Sequence, residues 1–130
     1  FYASTHQSPL YPGTGNSTER GIRGNVLNVP LPPGASSDAF RHAIEREIVP
    51  ALDAFRPELV MISAGFDAHR ADPLASLALN EADFAFATAA LCDVARRHAA
   101  GRLVSTLEGG YNLAALAASA AAHVKALMEG

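Results

Sequence analysis

An α/β fold with a mainly parallel sheet is expected of this chain from three observations. The uninterrupted apolar run Leu59-Val60-Met61-Ile62 is too short for a helix and reads as a strand buried on both faces. Between Ser36 and Phe55, the residues Phe40, Ile44, Ile48, Ala51, Leu52 and Phe55 recur at helical spacing on one stripe, while Arg41, Glu45 and Arg46 face away. From there strand and helix patterns alternate, and strands that alternate with helices pair in parallel beneath a helical layer.

Each element has its own justification. Phe1-Tyr2-Ala3-Ser4-Thr5 reads as the tail of a strand already under way, so the chain is expected to be a fragment of a longer protein. His6 to Ser17 is rich in turn formers and lacks either period, hence a long surface loop. Gly13 and Gly15 stand in neither a GxGxxG nor a GxxxxGK[ST] pattern, so no nucleotide site is expected there. Val26–Leu31 is a short strand ended by Pro32-Pro33-Gly34. Ser36 or Ser37 caps the first helix, Pro50 kinks it and Arg56-Pro57 closes it.

Asn80 caps a second helix with Asp83 in its electropositive first turn, and Phe84, Thr88, Leu91 and Ala95 mark its buried side. Gly101 is placed to stop it. Arg102–Leu107 is a further strand, and the final Ala-rich helix carries a stripe of Leu113, Leu116, Ala120, Val124 and Leu127.

Composition narrows the function classes. A chain of 130 residues with 49% hydrophobic and 18% charged residues is folded rather than disordered. At this length ~65–70% of the unfolded surface can be buried. The net charge of -3 and pI near 5.9 offer no basic footprint for nucleic acid. The single cysteine, Cys92, excludes an intrachain disulfide and a cysteine metal cage, and reads as a small core residue. No apolar run approaches the ~20 residues of a membrane span, and no signal segment opens the chain, so a soluble, cytoplasmic protein is expected.

The chemistry concentrates after two strands. In open α/β sheets, ligands bind in the crevice beyond the carboxyl ends of the strands, and Asp67 falls there. An Asp at that place is equally at home as a turn residue or helix N-cap. His69 makes an Asp-x-His pair with it, short of the about three protein ligands of a catalytic zinc. Tyr111, behind Gly109-Gly110, is either turned into the same crevice or a packing residue with a satisfied hydroxyl.

Five blocks stand in order along the chain: Ser4-Thr5-His6-Gln7, Tyr11-Pro12-Gly13-Thr14-Gly15, Ser63-Ala64-Gly65-Phe66-Asp67-Ala68-His69, Asp72-Pro73-Leu74 and Leu107-Glu108-Gly109-Gly110-Tyr111-Asn112-Leu113. With them the chain resembles the C-terminal half of a zinc-dependent histone-deacetylase-family catalytic domain, nearest the class II-like enzymes and the bacterial relatives that include acetylpolyamine amidohydrolases. The resemblance covers essentially the whole chain, so residues 1–130 are expected to be one portion of a single domain.

The resemblance implies a three-layer arginase-deacetylase fold with one catalytic zinc held by two aspartates and a histidine. Asp67 matches the last of these ligands, whereas His69 matches none. Tyr111 matches the tyrosine whose phenol grips the scissile carbonyl. Tyr11 and Gly110 match opposite walls of the acyl-lysine tunnel. Ser4 and Thr5 match positions that hold a structural potassium ion through a hydroxyl and a backbone carbonyl. Leu74 stands where polyamine-selective members carry a glutamate, which leans toward acyl-lysine over polycationic substrates. His6, His42, His98 and His123 remain structural or surface residues.

By the same resemblance the general-base histidine pair and two of the three zinc ligands belong to an N-terminal half of the domain. This chain is therefore expected to be inactive alone, its partners being that half, an acylated lysine peptide or small acylated amine, and, as an open point, a second copy of itself. Two rival readings stand beside it: a non-catalytic truncated or partner-assembled half-domain, and a ureohydrolase-like enzyme with two manganese ions. The latter needs further aspartates around Asp67, where the chain has Ala68 and His69. No G-x-S-x-G elbow supports a serine hydrolase.

Overall fold

In the structure, a computed structural model describing residues 1–130, the strands form two parallel pairs. β1 (Tyr2–Gln7) lies beside β2 (Val26–Leu31), in register from Tyr2 against Val26 to Gln7 against Leu31. β3 (Val60–Ala64) lies beside β4 (Leu103–Leu107), from Val60 against Leu103 to Ala64 against Leu107. The α/β class and the parallel sense are as expected, but the single continuous sheet is not. No ladder joins β1 to β3. Both line one cleft of about 910 Å³ instead, with Phe40, Ile44 and Phe84 among its apolar residues.

Burial on β3 also departs from expectation. Val60 and Ala64 are buried, yet Met61 between them is 73% exposed. Side chains alternate across a strand, so the helices of this chain cover one face only and Met61 falls on the other. The apolar run marked a strand correctly, but its second covering layer is not among these residues.

The first helical segment runs from Ser37 to Phe55 in three parts: α1 (Ser37–Ala43), a π turn (Ile44–Ile48) and α2 (Val49–Phe55). Pro50 lacks an amide hydrogen and its ring crowds the carbonyl four residues back. The helix accommodates it by widening: the Val49 amide bonds Ile44 O, five residues back. The expected kink is thus a π turn placed just before the proline.

Ser36 occupies the N-cap position without a side-chain cap bond. Ser37 is instead recruited across the molecule, its hydroxyl donating to Asp83 Oδ2 at 2.7 Å. Asp83 is fully buried and also accepts from Arg41 Nε (2.8 Å) and the Asn80 amide (3.0 Å). A buried charge is tolerable only when paired and hydrogen-bonded, and here one carboxylate both closes the capping box of α3 (Glu81–His98) and ties α3 to α1. At the far end of α3 the left-handed turn begins at Ala100 (φ 51) rather than at Gly101 (φ 75), one residue earlier than expected. Cys92 is buried, and burial pushes its thiol pKa up, which keeps it unreactive.

α4 (Leu113–Glu129) keeps Leu116 and Ala120 of the expected stripe against the core, but its most buried residues lie beside that stripe. Leu113 is 81% and Val124 50% exposed, while Ala115, Ser119, His123 and Ala126 are buried. Small residues let α4 approach α3 closely, and His123 adds a polar lock. Thr88 Oγ1 donates to Phe84 O (2.6 Å), so it accepts from His123 Nδ1 (2.6 Å), which carries a proton, and in the neutral ring Ser105 Oγ donates to the remaining nitrogen, Nε2 (2.9 Å).

Burial lowers the His123 pKa below its ordinary value. Between that lowered value and the unfolded value of about 6.5, the unfolded chain binds a proton that the fold does not. The stability His123 confers is therefore complete above about pH 6.5 and lost as pH falls through the folded value. In the full-length protein, Tm is expected to drop on acidification from pH 7 to 5, and the drop should be shallower in His123→Gln. Parallel Tm-versus-pH curves for the two proteins would count against this.

Candidate metal and substrate site

The pairing of β3 with β4 continues beyond the strands. The Glu108 amide donates to Ala64 O (3.0 Å) and the Phe66 amide to Gly109 O (2.8 Å). The segment bearing Asp67 and the segment bearing Tyr111 therefore leave the sheet side by side at its carboxyl end. Asp67 is half-buried, and its carboxylate lies against the facing backbone: a Cβ built on Gly109 would sit 2.7 Å from Oδ2, and one on Gly65 3.0 Å from Oδ1. The glycines make a cradle for this carboxylate. Gly110 has φ +140, and a Cβ there would meet Leu116 Cδ1 at 2.9 Å, so only glycine makes the turn that leads to Tyr111.

Burial, reinforced by the nearby charge of Asp72, pushes the Asp67 pKa up, against the opposing pull of the Asp67 and Ala68 amides. A partly desolvated carboxylate without a cationic partner is a group that a bound cation would stabilise. The cradle and this electrostatic deficit fit a metal ligand. Nowhere in the chain do three His, Cys, Asp or Glu side chains converge on one point.

His69 has both ring nitrogens engaged elsewhere. It is buried, Nδ1 accepts from the Ala71 amide (3.0 Å), and Nε2 faces Glu81 Oε1 at 3.4 Å. The Asp-x-His pair is thus not a chelate; its histidine organises the loop after Asp67.

Ser4, Thr5 and Tyr11 line the same cleft as Asp67. Tyr11 is 94% exposed on the long loop after β1. That loop is pinned by His6, whose Nε2 donates to Gly15 O (3.0 Å) with the ring so close that a Cβ on Gly15 would lie 2.4 Å from Nε2. With Nε2 donating, a neutral ring accepts at Nδ1, so the Ser4 hydroxyl donates to it (2.9 Å) and keeps its oxygen lone pairs free. Neighbouring strand residues point to opposite faces. Thr5 Oγ1 therefore lies on the opposite face from Ser4 Oγ, buried with no hydrogen-bond partner.

Leu74 is 65% exposed, further along the loop that follows Asp67. Its amide donates to Asp72 Oδ1 (2.9 Å), while Asp72 Oδ2 accepts from the Tyr111 amide (2.8 Å). The structure thus brings Gly110, Tyr111 and Leu74 onto loops that adjoin that of Asp67, while the cleft that Asp67 shares with Ser4, Thr5 and Tyr11 is not lined by Gly110, Tyr111 or Leu74. Asp72 was legible only as part of the Asp-Pro-Leu block; its bridging role appears with the fold.

Residues 1–127 match the family described as the histone deacetylase domain. The chain belongs to the histone deacetylase family. Among its relatives is a histone deacetylase-like amidohydrolase of Pseudomonas aeruginosa, 46% identical over 113 residues, which covers 84% of this chain and 30% of that protein. Among solved structures, the HDA15 HD domain superposes with a TM-score of 0.90 at 37% identity, over 98% of this chain and 37% of that one. An acetylpolyamine aminohydrolase from Burkholderia pseudomallei follows with a TM-score of 0.85 at 30% identity, over 97% of this chain and 37% of that one. The chain thus spans roughly a third of the length of these three proteins, and the α/β class expected from the sequence is theirs. No helix is long and apolar enough to cross a membrane.

Proposed function

We propose that the protein carrying this chain is a zinc-dependent deacetylase of the cytoplasm that hydrolyses the amide of acyl-lysine or of a related small acylated amine. The observation that carries this reading is the Asp67 carboxylate seated in the Gly65 and Gly109 cradle, one turn of backbone from Tyr111. Asp67 is the residue here that would hold zinc, which when bound polarises a carbonyl and lowers the pKa of water.

Several further roles belong to residues of this chain. Tyr111 donates a hydrogen bond to the carbonyl oxygen as negative charge develops on it. Gly110 and Tyr11 stand on opposite walls of the approach of the acyl chain, Tyr11 offering an aromatic face. Leu74 brings no negative charge to the mouth, which favours a singly charged or neutral acyl-lysine over a polyamine. Ser4 and Thr5 hold a potassium ion that stiffens β1, through the Ser4 hydroxyl and the Thr5 carbonyl. The other zinc ligands and the general base come from residues outside this chain, which by itself is inactive.

The test is a metal-replacement assay on the full-length protein with an acetyl-lysine peptide and an acetylated polyamine. Activity is expected to vanish on chelation, to return with zinc, and to favour the peptide. Hydrolysis that survives chelation sinks the zinc assignment, and a preference for the polyamine sinks the reading of Leu74. The isolated 130-residue segment is expected to show neither tight zinc binding nor turnover.

A further inference from the structure

Resting on that reading of Tyr111, we propose that Asp72 is the residue that positions it. Nothing holds the Tyr111 side chain from within the chain: the residue is 55% exposed, and its fixed point is the backbone hydrogen bond from its amide to Asp72 Oδ2 at 2.8 Å. Two glycines precede it, so the backbone leading to Tyr111 has few intrinsic restraints. A clamp at the first non-glycine amide is the place where orientation can be imposed.

Asp72 is built as such a clamp. Its side chain is buried, and its two oxygens are divided between two loops, Oδ1 on the Leu74 amide and Oδ2 on the Tyr111 amide. Its own backbone amide donates to His69 O at 2.9 Å, within the loop that begins at Asp67. His69 is in turn locked by the Ala71 amide and Glu81. A rigid turn after the metal-ligand candidate therefore reaches across to hold the residue that donates to the substrate carbonyl. Hydrogen bonds from amides to an ionised acceptor are short and strong, and the carboxylate is the one side-chain group that can accept at both oxygens. An asparagine in its place offers one acceptor and one donor, so one of the two amides is left facing an N–H.

A positioning role makes a specific demand on kinetics. If Asp72 acts through the Tyr111 phenol, removing the phenol removes the reason for the clamp. In the full-length zinc-loaded protein, Asp72→Asn is expected to lower kcat on an acetyl-lysine peptide by roughly ten- to hundred-fold, the scale of a misplaced catalytic group. KM and bound zinc should change little. In the Tyr111→Phe background, the same substitution should change kcat by less than about threefold, because the two residues act as one unit.

Losses that multiply in the double variant overturn the assignment of Asp72, and so does an Asp72→Asn whose activity falls only in step with lost zinc or lost folded protein. A fully active Tyr111→Phe overturns the reading of Tyr111 and this inference with it. If Asp72→Asn is not recovered folded by circular dichroism, Asp72→Ser, which keeps one acceptor in a smaller side chain, carries the same cycle with the same outcomes.

Discussion

Replacing Tyr111 by phenylalanine in the full-length protein is expected to lower kcat about 10²–10³-fold, the usual cost of removing one donor to a developing oxyanion. The substitution deletes a single oxygen. Tyr111 is mostly exposed and its backbone is held by Asp72, so neither the fold nor the carboxylate at Asp67 depends on the phenol. Zinc content and Tm should therefore match the unsubstituted protein, and KM should move far less than kcat, since the lost bond strengthens only as charge builds on the carbonyl oxygen. Single-turnover rates with metal analysis on the same samples check both halves. A variant with unchanged kcat removes Tyr111 from the reaction.

Asp67→Asn is expected to abolish zinc binding and activity together. The replacement is close to isosteric, so the cradle formed by Gly65 and Gly109 accommodates it. What changes is charge: an amide oxygen is a far weaker donor to a divalent cation than a carboxylate. The measurement is the rise in Tm on adding zinc to metal-free protein, because a ligand that binds only the folded state stabilises it in proportion to its affinity. That rise should be large for the unsubstituted protein and absent for Asp67→Asn, whose metal-free Tm should be equal or slightly higher, relieved of a partly buried charge. A zinc-dependent rise that survives in Asp67→Asn shows that the metal sits elsewhere.

Local signals in the sequence reached the elements well wherever the deciding interaction is local. The strand Val26–Leu31 has the expected bounds, and Asn80 with Asp83 forms the expected capping box, because a cap is decided within four residues. The final helix lies where expected, and its inward face was legible in part: Leu116 and Ala120 pack on the core while Leu113 and Val124 are exposed. The most buried positions are Ala115, Ser119, His123 and Ala126, where small side chains allow close packing on α3 and His123 bonds Thr88 and Ser105. Ser37 was read as a possible cap and serves Asp83 instead, a partner 46 residues away that no local pattern reveals.

What the sequence alone determined is the parallel α/β class, the order of the elements and the residue types at the carboxyl ends of β3 and β4, all of which follow from periodicity, turn chemistry and short motifs. The tertiary structure decided which of those residues meet. It set the Asp67 carboxylate against Gly109, drew His69 away toward Ala71 and Glu81, divided Asp72 between Leu74 and Tyr111, and separated β1 from β3 by a cleft. The deciding contacts, Asp67 with Gly109, His69 with Glu81 and Asp72 with Tyr111, join residues well apart along the chain, through hydrogen-bond directionality, charge and the room that glycine leaves, none of which has a signature in local sequence.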